Sequence, residues 1–515
     1  MPVLFRNARV ITGLVAPGTA PPVTALLVDG GRIVWVGDDD RAAASGGPTV
    51  DLGGALVCPA FVDAHVHTTA TGLALTGLDL ASARSAADVL DAVAAATRTT
   101  RGRPVIGSGW DESGWADPRI PTAGELDRAA FGGAVYLARV DAHSALASSA
   151  LAAAVPGLAA MDGYGGRDGP HRGDAHHALR RAAFGALTPA AVRDLQRETR
   201  AHAASLGIGT LHEMGGPAVS SADDLRALLD LAAAEPGPAV VGYWGELHGT
   251  GTALELGAAG AAGDLFCDGS LGSHTAALTG PYADAPGSHG VLHHDTGELA
   301  DHIAACARAG LQAGFHAIGD AAVDQVLTAF ERAAAILGGP PAGRHRIEHA
   351  EYVRDPARLA AAGLVASMQP GFDAAWGGAS GMYAARLGAD RARRLNRFAD
   401  LHAAGVPLAF GSDAPVTAMG PWQAIRAAMR PHDASAAIDG WTAFRAHTAG
   451  GHAAAGRVGG VLAPGEPADF AVWDVPADSA LPAEFGTDVG SLDPARAPVP
   501  TCLRLVLGGR TVLGS

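Results

Sequence analysis

The sequence predicts an α/β chain: a (β/α)8 TIM barrel, with a small β-sandwich built from both chain ends and an insertion on the barrel. Three observations lead there. Both ends are strand-rich around an alternating middle. The alternation runs helix, glycine, strand, an order that implies parallel strands joined by crossover helices. Histidines and an aspartate stand where successive strands end, the place where such barrels gather functional side chains.

Residues 1–57 and 453–515 are read as one composite β-sandwich, and 58–452 as the barrel. Val23–Val28 and Arg32–Val36 flank the turn Asp29-Gly30-Gly31. Ala468–Trp473, Leu503–Leu507 and Thr511–Leu513 are strand-like at the other end. Ser85–Thr99 has helical apolar spacing. Thr188 is placed to cap a helix reaching about Ser205, and Thr210–His212 is extended. Helices over Gly297–Arg308, Val323–Leu337 and Arg391–Ala404 each precede a break and a strand: Gln312–His316, Arg346–His349 and Val406–Phe410. Residues 101–174, broken by Pro, Gly and Trp, read as the insertion. Residues 371–390, with Trp376 and Tyr383, read as a loop over the strand ends.

With 515 residues, 48% of them hydrophobic, the chain can bury a large core. Its net charge of −15 disfavours nucleic acid or an anionic membrane as the main partner, so neither is expected. Cys58, Cys267, Cys306 and Cys502 lie too far apart in sequence for a zinc knuckle or a disulfide scaffold. The opening MPVLFRNARV is no signal peptide, and no stretch is long and apolar enough to span a bilayer. A cytoplasmic location is expected. All 37 basic residues are arginine. Any chemistry that needs lysine is therefore excluded.

The segment Pro59–His67 is an apolar run ending in His65-Val66-His67. Strand residues two apart share a face, roughly 6.6 Å apart, so both imidazoles can grip one ion. With 21 histidines in the chain, one such pair is expected by chance. His316, His349 and Asp413 each end a strand too. A lone histidine there is more often structural, and a lone aspartate is often a helix cap. Their succession is what points to a metal site: His-x-His, His, His, Asp, each closing a unit of the same repeat.

With those motifs in hand, the chain resembles the amidohydrolase superfamily, in the amidohydrolase-3 branch that includes N-substituted formamide deformylases. PAFVDAHVH resembles the start of that barrel; GSGWDESGW (107–115) and RVDAHSALAS (139–148) resemble its insertion motifs. DGSLGSHTAAL (268–278), FHAIGDAAVD (315–324), RIEHAEYV (346–353), GSDAP (411–415) and GEPADFAVWD (465–474) continue the likeness over nearly the whole chain. The resemblance implies metal ligands His65 and His67 from the first strand and His316 and His349 from the fifth and sixth. Asp413, at the eighth, is implied as ligand and general base. Zinc suits these donors, and iron or manganese also fits. Many relatives carry a carboxylated lysine, bridging two metals, four residues before the Asp-Gly motif. Here Asp264 stands there. Either Asp264 serves as a shorter carboxylate ligand, or the site holds one metal.

The implied reaction is hydrolysis of a non-peptide carbon–nitrogen bond in a small molecule. Trp110, Asp111, Trp115, His143, His212 and Gln369 are candidates to line the pocket, His143 and His212 also to polarise the carbonyl oxygen. A homodimer is implied by resemblance alone. Two rival readings are a one-metal deaminase and a non-catalytic ligand-binding barrel. The deaminase calls for a Glu three residues after His316, where this chain has Gly319, then Asp320.

Overall fold

Eight short segments, buried except at the start of the third, pair in parallel to form the central sheet of the computed structural model, which describes residues 1–16, 21–41, 47–100, 104–475 and 498–514. We number them β1 (Phe61–Val66), β2 (Ile208–Gly215), β3 (Ala239–Trp244), β4 (Gly260–Ala261), β5 (Gln312–Ala317), β6 (Arg346–His349), β7 (Val365–Met368) and β8 (Leu408–Phe410). Each pairs with the next in chain order. Just past β8 the barrel closes onto β1. Val66 and Ala414 form a parallel bridge, Asp413 N–H donates to the His65 carbonyl at 2.8 Å, and His67 N–H to that of Ala414 at 3.0 Å. The structure is thus the expected (β/α)8 barrel.

Local sequence explains the crossover helices. Thr188 accepts from Ala191 N–H and opens the helix Pro189–Ser205. Asp295 and Glu298 form a reciprocal capping box on Thr296–Ala309, which Gly310 ends with a left-handed backbone, φ 70°. Among the described residues no helix is long and apolar enough to cross a membrane.

The two chain ends meet below the barrel. One sheet orders Arg32–Gly37, Ala25–Asp29, Val3–Arg6 and Thr49–Asp51; the other orders Arg9–Val10, Leu56–Pro59, Phe470–Asp474, Thr501–Leu507 and Arg510–Leu513. Phe5 and Phe470 pack edge-to-face between them, centroids 5.0 Å apart. Phe61, at the start of β1, packs on Trp473 of the sandwich as well as on Trp422 and Phe444 around the barrel, at 5.0–5.8 Å. β1 thereby runs from the sandwich to the site.

The inserted sheet orders His171–Arg172, Ser144–Ala147, Val135–Arg139, Val105–Trp110 and Leu78–Asp79. It reaches back to Leu78, and the helix Ala86–Thr100 packs on it through Val89 and Val93. Two local expectations differ. Arg391–Ala404 is two short helices, Ala389–Ala392 and Phe398–Ala403, because Asn396 between them turns left-handed, φ 51°, while its N–H donates to the Glu351 carbonyl. Residues 371–390 form helices Pro370–Trp376 and Met382–Leu387, not a loop. Pro370 opens the first from a position where no intrahelical N–H is needed.

Candidate metal centre

Four imidazoles and two carboxylates converge at the C-terminal mouth of the barrel. His65 rises from β1 and His67 directly follows it, His316 rises from β5 and His349 from the end of β6; Asp413 follows β8, and Asp264 lies three residues past β4. Asp264 stands at the centre. Its Oδ1 is 3.5 Å from His65 Nε2, 3.6 Å from His316 Nδ1 and 3.7 Å from His349 Nε2, and its Oδ2 is 3.2 Å from His67 Nε2. Asp413 Oδ1 lies 3.4 Å from His65 Nε2 and 3.0 Å from His67 Nε2. Three overlapping triads arise, each with its donor atoms within 4.8 Å of one another: His65–His349–Asp413, His65–His67–Asp264 and Asp264–His316–His349.

The outer face of each ring is held. His65 Nδ1 meets Glu348 Oε2 at 3.0 Å, His67 Nδ1 the Met214 carbonyl at 3.2 Å, His316 Nε2 the Gly269 carbonyl at 3.2 Å, and His349 Nδ1 the Gln369 Oε1 at 2.9 Å. These partners fix the rings with the opposite nitrogen facing inward. Inside, the reverse holds. His65 Nε2, His316 Nδ1, His349 Nε2, Asp264 Oδ1 and Asp413 Oδ1 are buried with no hydrogen-bond partner. Buried polar atoms are nearly always satisfied, so five such orphans facing one another fit a cation.

The electrostatics agree. Burial disfavours charge on His67, yet Asp264 and Asp413 raise it to about 9. Burial acts to raise Asp264, but His65, His316 and His349 hold it well below the carboxylate range, and Asp413 is lowered likewise by His65 and His67. In these surroundings positive charge is favoured.

The backbone around the ligands is constrained. His349 and Asp413 both have positive φ, 69° and 55°. Such conformations cost a non-glycine residue of order 1–3 kcal/mol and persist only when neighbours impose them. Asp63 does part of this for Asp413: it accepts from Ser412 N–H at 2.9 Å and from Ser412 Oγ at 2.6 Å. Gly411 must lack a side chain, since a Cβ there would meet His65 N at 2.5 Å. Asp268 anchors the other side, accepting from the N–H groups of Ala277, Ile318 and Gly319.

Above the ligands opens a cavity, floored by His67, Asp264, His316, His349 and Asp413 and walled by the inserted sheet and the helix Gly173–Phe184. Of the expected pocket residues, His143 lines it, its ring 5.2 Å from that of His316, held near pKa 3 by burial and by His316. The others lie elsewhere. Trp110 is buried in the insertion, its indole N–H on the Leu137 carbonyl, and Trp115 donates to Ala83. Asp111 pairs with Arg139 at 2.6 Å and caps the turn 112–114. His212 sits inside the barrel, 3.2 Å from Arg346 Nη1, and Gln369 stands behind His349. Packing within the insertion and within the barrel took these side chains. Sequence reasoning passed over Asp63 and Glu348, although Asp63 shares the strand face of His65 and Glu348 adjoins His349.

The sequence model described as the amidohydrolase family matches residues 48–513. Protein LONG AFTER FAR-RED 3 of Arabidopsis thaliana is 28% identical over 477 residues, covering 83% of this chain and 78% of that protein. N-substituted formamide deformylase of Arthrobacter pascens is 33% identical over 132 residues, 24% of each chain. A solved structure of an uncharacterized metal-dependent hydrolase from Pyrococcus furiosus superposes with a TM-score of 0.73 at 27% identity, covering 92% of this chain and 98% of that one.

Proposed function

This chain belongs to the amidohydrolase family, and on that premise we propose that it hydrolyses a non-peptide amide bond in a small molecule. The five orphaned donor atoms facing one another carry the reading. His65, His67 and Asp413 would hold one divalent ion, His316 and His349 a second, and Asp264 would serve both. Its two oxygens already reach toward both histidine pairs. Zinc is assigned from the nitrogen and carboxylate donors. Such ions, when bound, acidify water toward a pKa of roughly 7 and polarise a carbonyl.

The chain's own groups do the rest. Asp413 Oδ1 faces His65 and His67, which leaves Oδ2 to take a proton from water and pass it to the leaving amine. His143, kept neutral, has an N–H to offer the carbonyl oxygen. The inserted sheet forms one wall of the cavity. The deaminase reading gains nothing from the geometry. Asp320 is bound to Thr279 N–H at 3.0 Å and lies 3.5 Å from Arg354, and it does not line the cavity.

Metal analysis of the purified protein tests this reading, with about two ions per chain expected. Chelation should lower the melting temperature and zinc should restore it. A protein that binds no ion and gains no stability from zinc would overturn the proposal. A count of one would remove Asp264 from its bridging role.

A further inference from the structure

Two arginines face the cavity, and they differ in their partners. Arg139 is ringed by carboxylates: Asp111 at 2.6 Å, Glu112 at 2.9 Å and Asp141 at 3.2 Å. Its charge is answered within the protein. Arg180, from the helix Gly173–Phe184, meets only neutral acceptors. Its Nη2 reaches the Ala142 carbonyl at 2.5 Å and His176 Nε2 at 2.7 Å, and its Nε reaches the Tyr136 hydroxyl at 3.3 Å. Among the described residues no carboxylate pairs with Arg180, and its Nη1 has no hydrogen-bond partner. Burial, reinforced by Arg180, keeps His176 and His177 neutral, so neither competes for an incoming anion.

Arg180 is half-buried and lines the same cavity as the metal ligands. Between them runs an aromatic wall. The His316 and Phe266 rings are 4.7 Å apart, and Phe266 stacks on His177 at 5.4 Å. Leu73, Ile106 and Phe184 add apolar surface. A pocket with a polar floor, an apolar wall and one uncompensated guanidinium favours a ligand of matching design.

We propose that Arg180 recognises an anion at the far end of the substrate, which is then an amide bearing a single carboxylate across an apolar spacer. The inference rests on the amide-hydrolase reading of the site. One charge fits better than a phosphate dianion, because only Nη1 is uncommitted and Arg139 is already neutralised. The fixed hydrogen bonds of Nη2 and Nε hold the guanidinium in place for it.

The test uses zinc-loaded protein and two matched pairs. 6-Formamidohexanoate and 6-formamidohexanamide are compared for kcat/KM. Their uncleavable ketone analogues, 7-oxooctanoate and 7-oxooctanamide, are compared for Kd by calorimetry. Wild type should prefer the carboxylate about 10- to 100-fold, the range of a charge-assisted hydrogen bond. In R180M that preference should collapse toward one, through KM, and R180K should keep part of it. Equal handling of both members by wild type would overturn the proposal. So would a preference that survives R180M, which would place the carboxylate on the metal, or an equal fall of R180M on both members. The two readings fail separately. Arg180-dependent binding without turnover sinks the hydrolase and spares the anion pocket; turnover without preference does the reverse.

Discussion

The barrel holds two layers of buried polar residues, and they differ in satisfaction rather than in burial. At the mouth, histidines and carboxylates point unpartnered atoms at one another. Deeper inside, Arg346 donates to both oxygens of Glu348 at 2.5 and 2.9 Å, to Ser367 Oγ at 2.8 Å and to the Ala64 carbonyl at 2.6 Å, and its guanidinium lies over the Tyr243 ring. Burial tends to raise Glu348, yet Arg346 and His65 bring it to about 2. Among the described residues of this layer, His212 Nε2 is left without a partner. The lesson is that a buried charge alone does not mark a site. A cluster of unanswered polar atoms facing one another does, and the layer below serves to hold it.

If that division is right, the two layers respond to mutation in different ways. The largest effect should come from D413N. It should lower kcat about 10²- to 10⁴-fold, the span of a lost general base, while shifting the melting temperature less than any change to Arg346. Steady-state rates and thermal melts on the same samples decide this. R346M should act the other way: leaving Glu348 buried and unpaired should cost about 3–5 kcal/mol of stability by denaturant titration. A stable R346M would erase the distinction between the layers.

Q369L probes the boundary. It removes the acceptor behind His349, and should weaken zinc binding about 10- to 100-fold in a competition titration. Unchanged affinity would show that the outer hydrogen bond orients nothing. The last effect is a pH dependence away from both layers. Burial holds His302 and His447 at about 4, against the opposing pull of the Ala261 and Val62 carbonyls. Both are neutral in the folded chain and protonate more readily when unfolded. Their contribution is full above pH 6.5 and fades as pH falls through 4, by about 1.4 kcal/mol per pH unit for each residue. Metal-free protein should show this slope, and H447Q should reduce it.

Much of this was legible in the sequence because it is periodic. Wherever a helix, a glycine and an apolar run recur, the end of the run marks a strand end, and His316, His349 and Asp413 stand there. The fourth unit was harder, since β4 has only two residues and Asp264 lies beyond it. The pocket was misread for a different reason. Trp110, Asp111 and His212 are chemically suited to a site, but whether such side chains face a cavity or a core depends on packing across elements distant in sequence. Arg180 gave no signal at all, because its meaning lies in the absence of a partner, which only three dimensions reveal.

The seam between β1 and β8 has one more consequence. Asp413 and His65 are joined across it by backbone hydrogen bonding, and both would hold the same ion. An ion there would act as a clasp, tying the first turn of the cylinder to the last over nearly 350 residues of intervening chain. Losing it would cost more than reactivity: amides along the seam should exchange with solvent sooner, and the barrel should begin to open from its own active face.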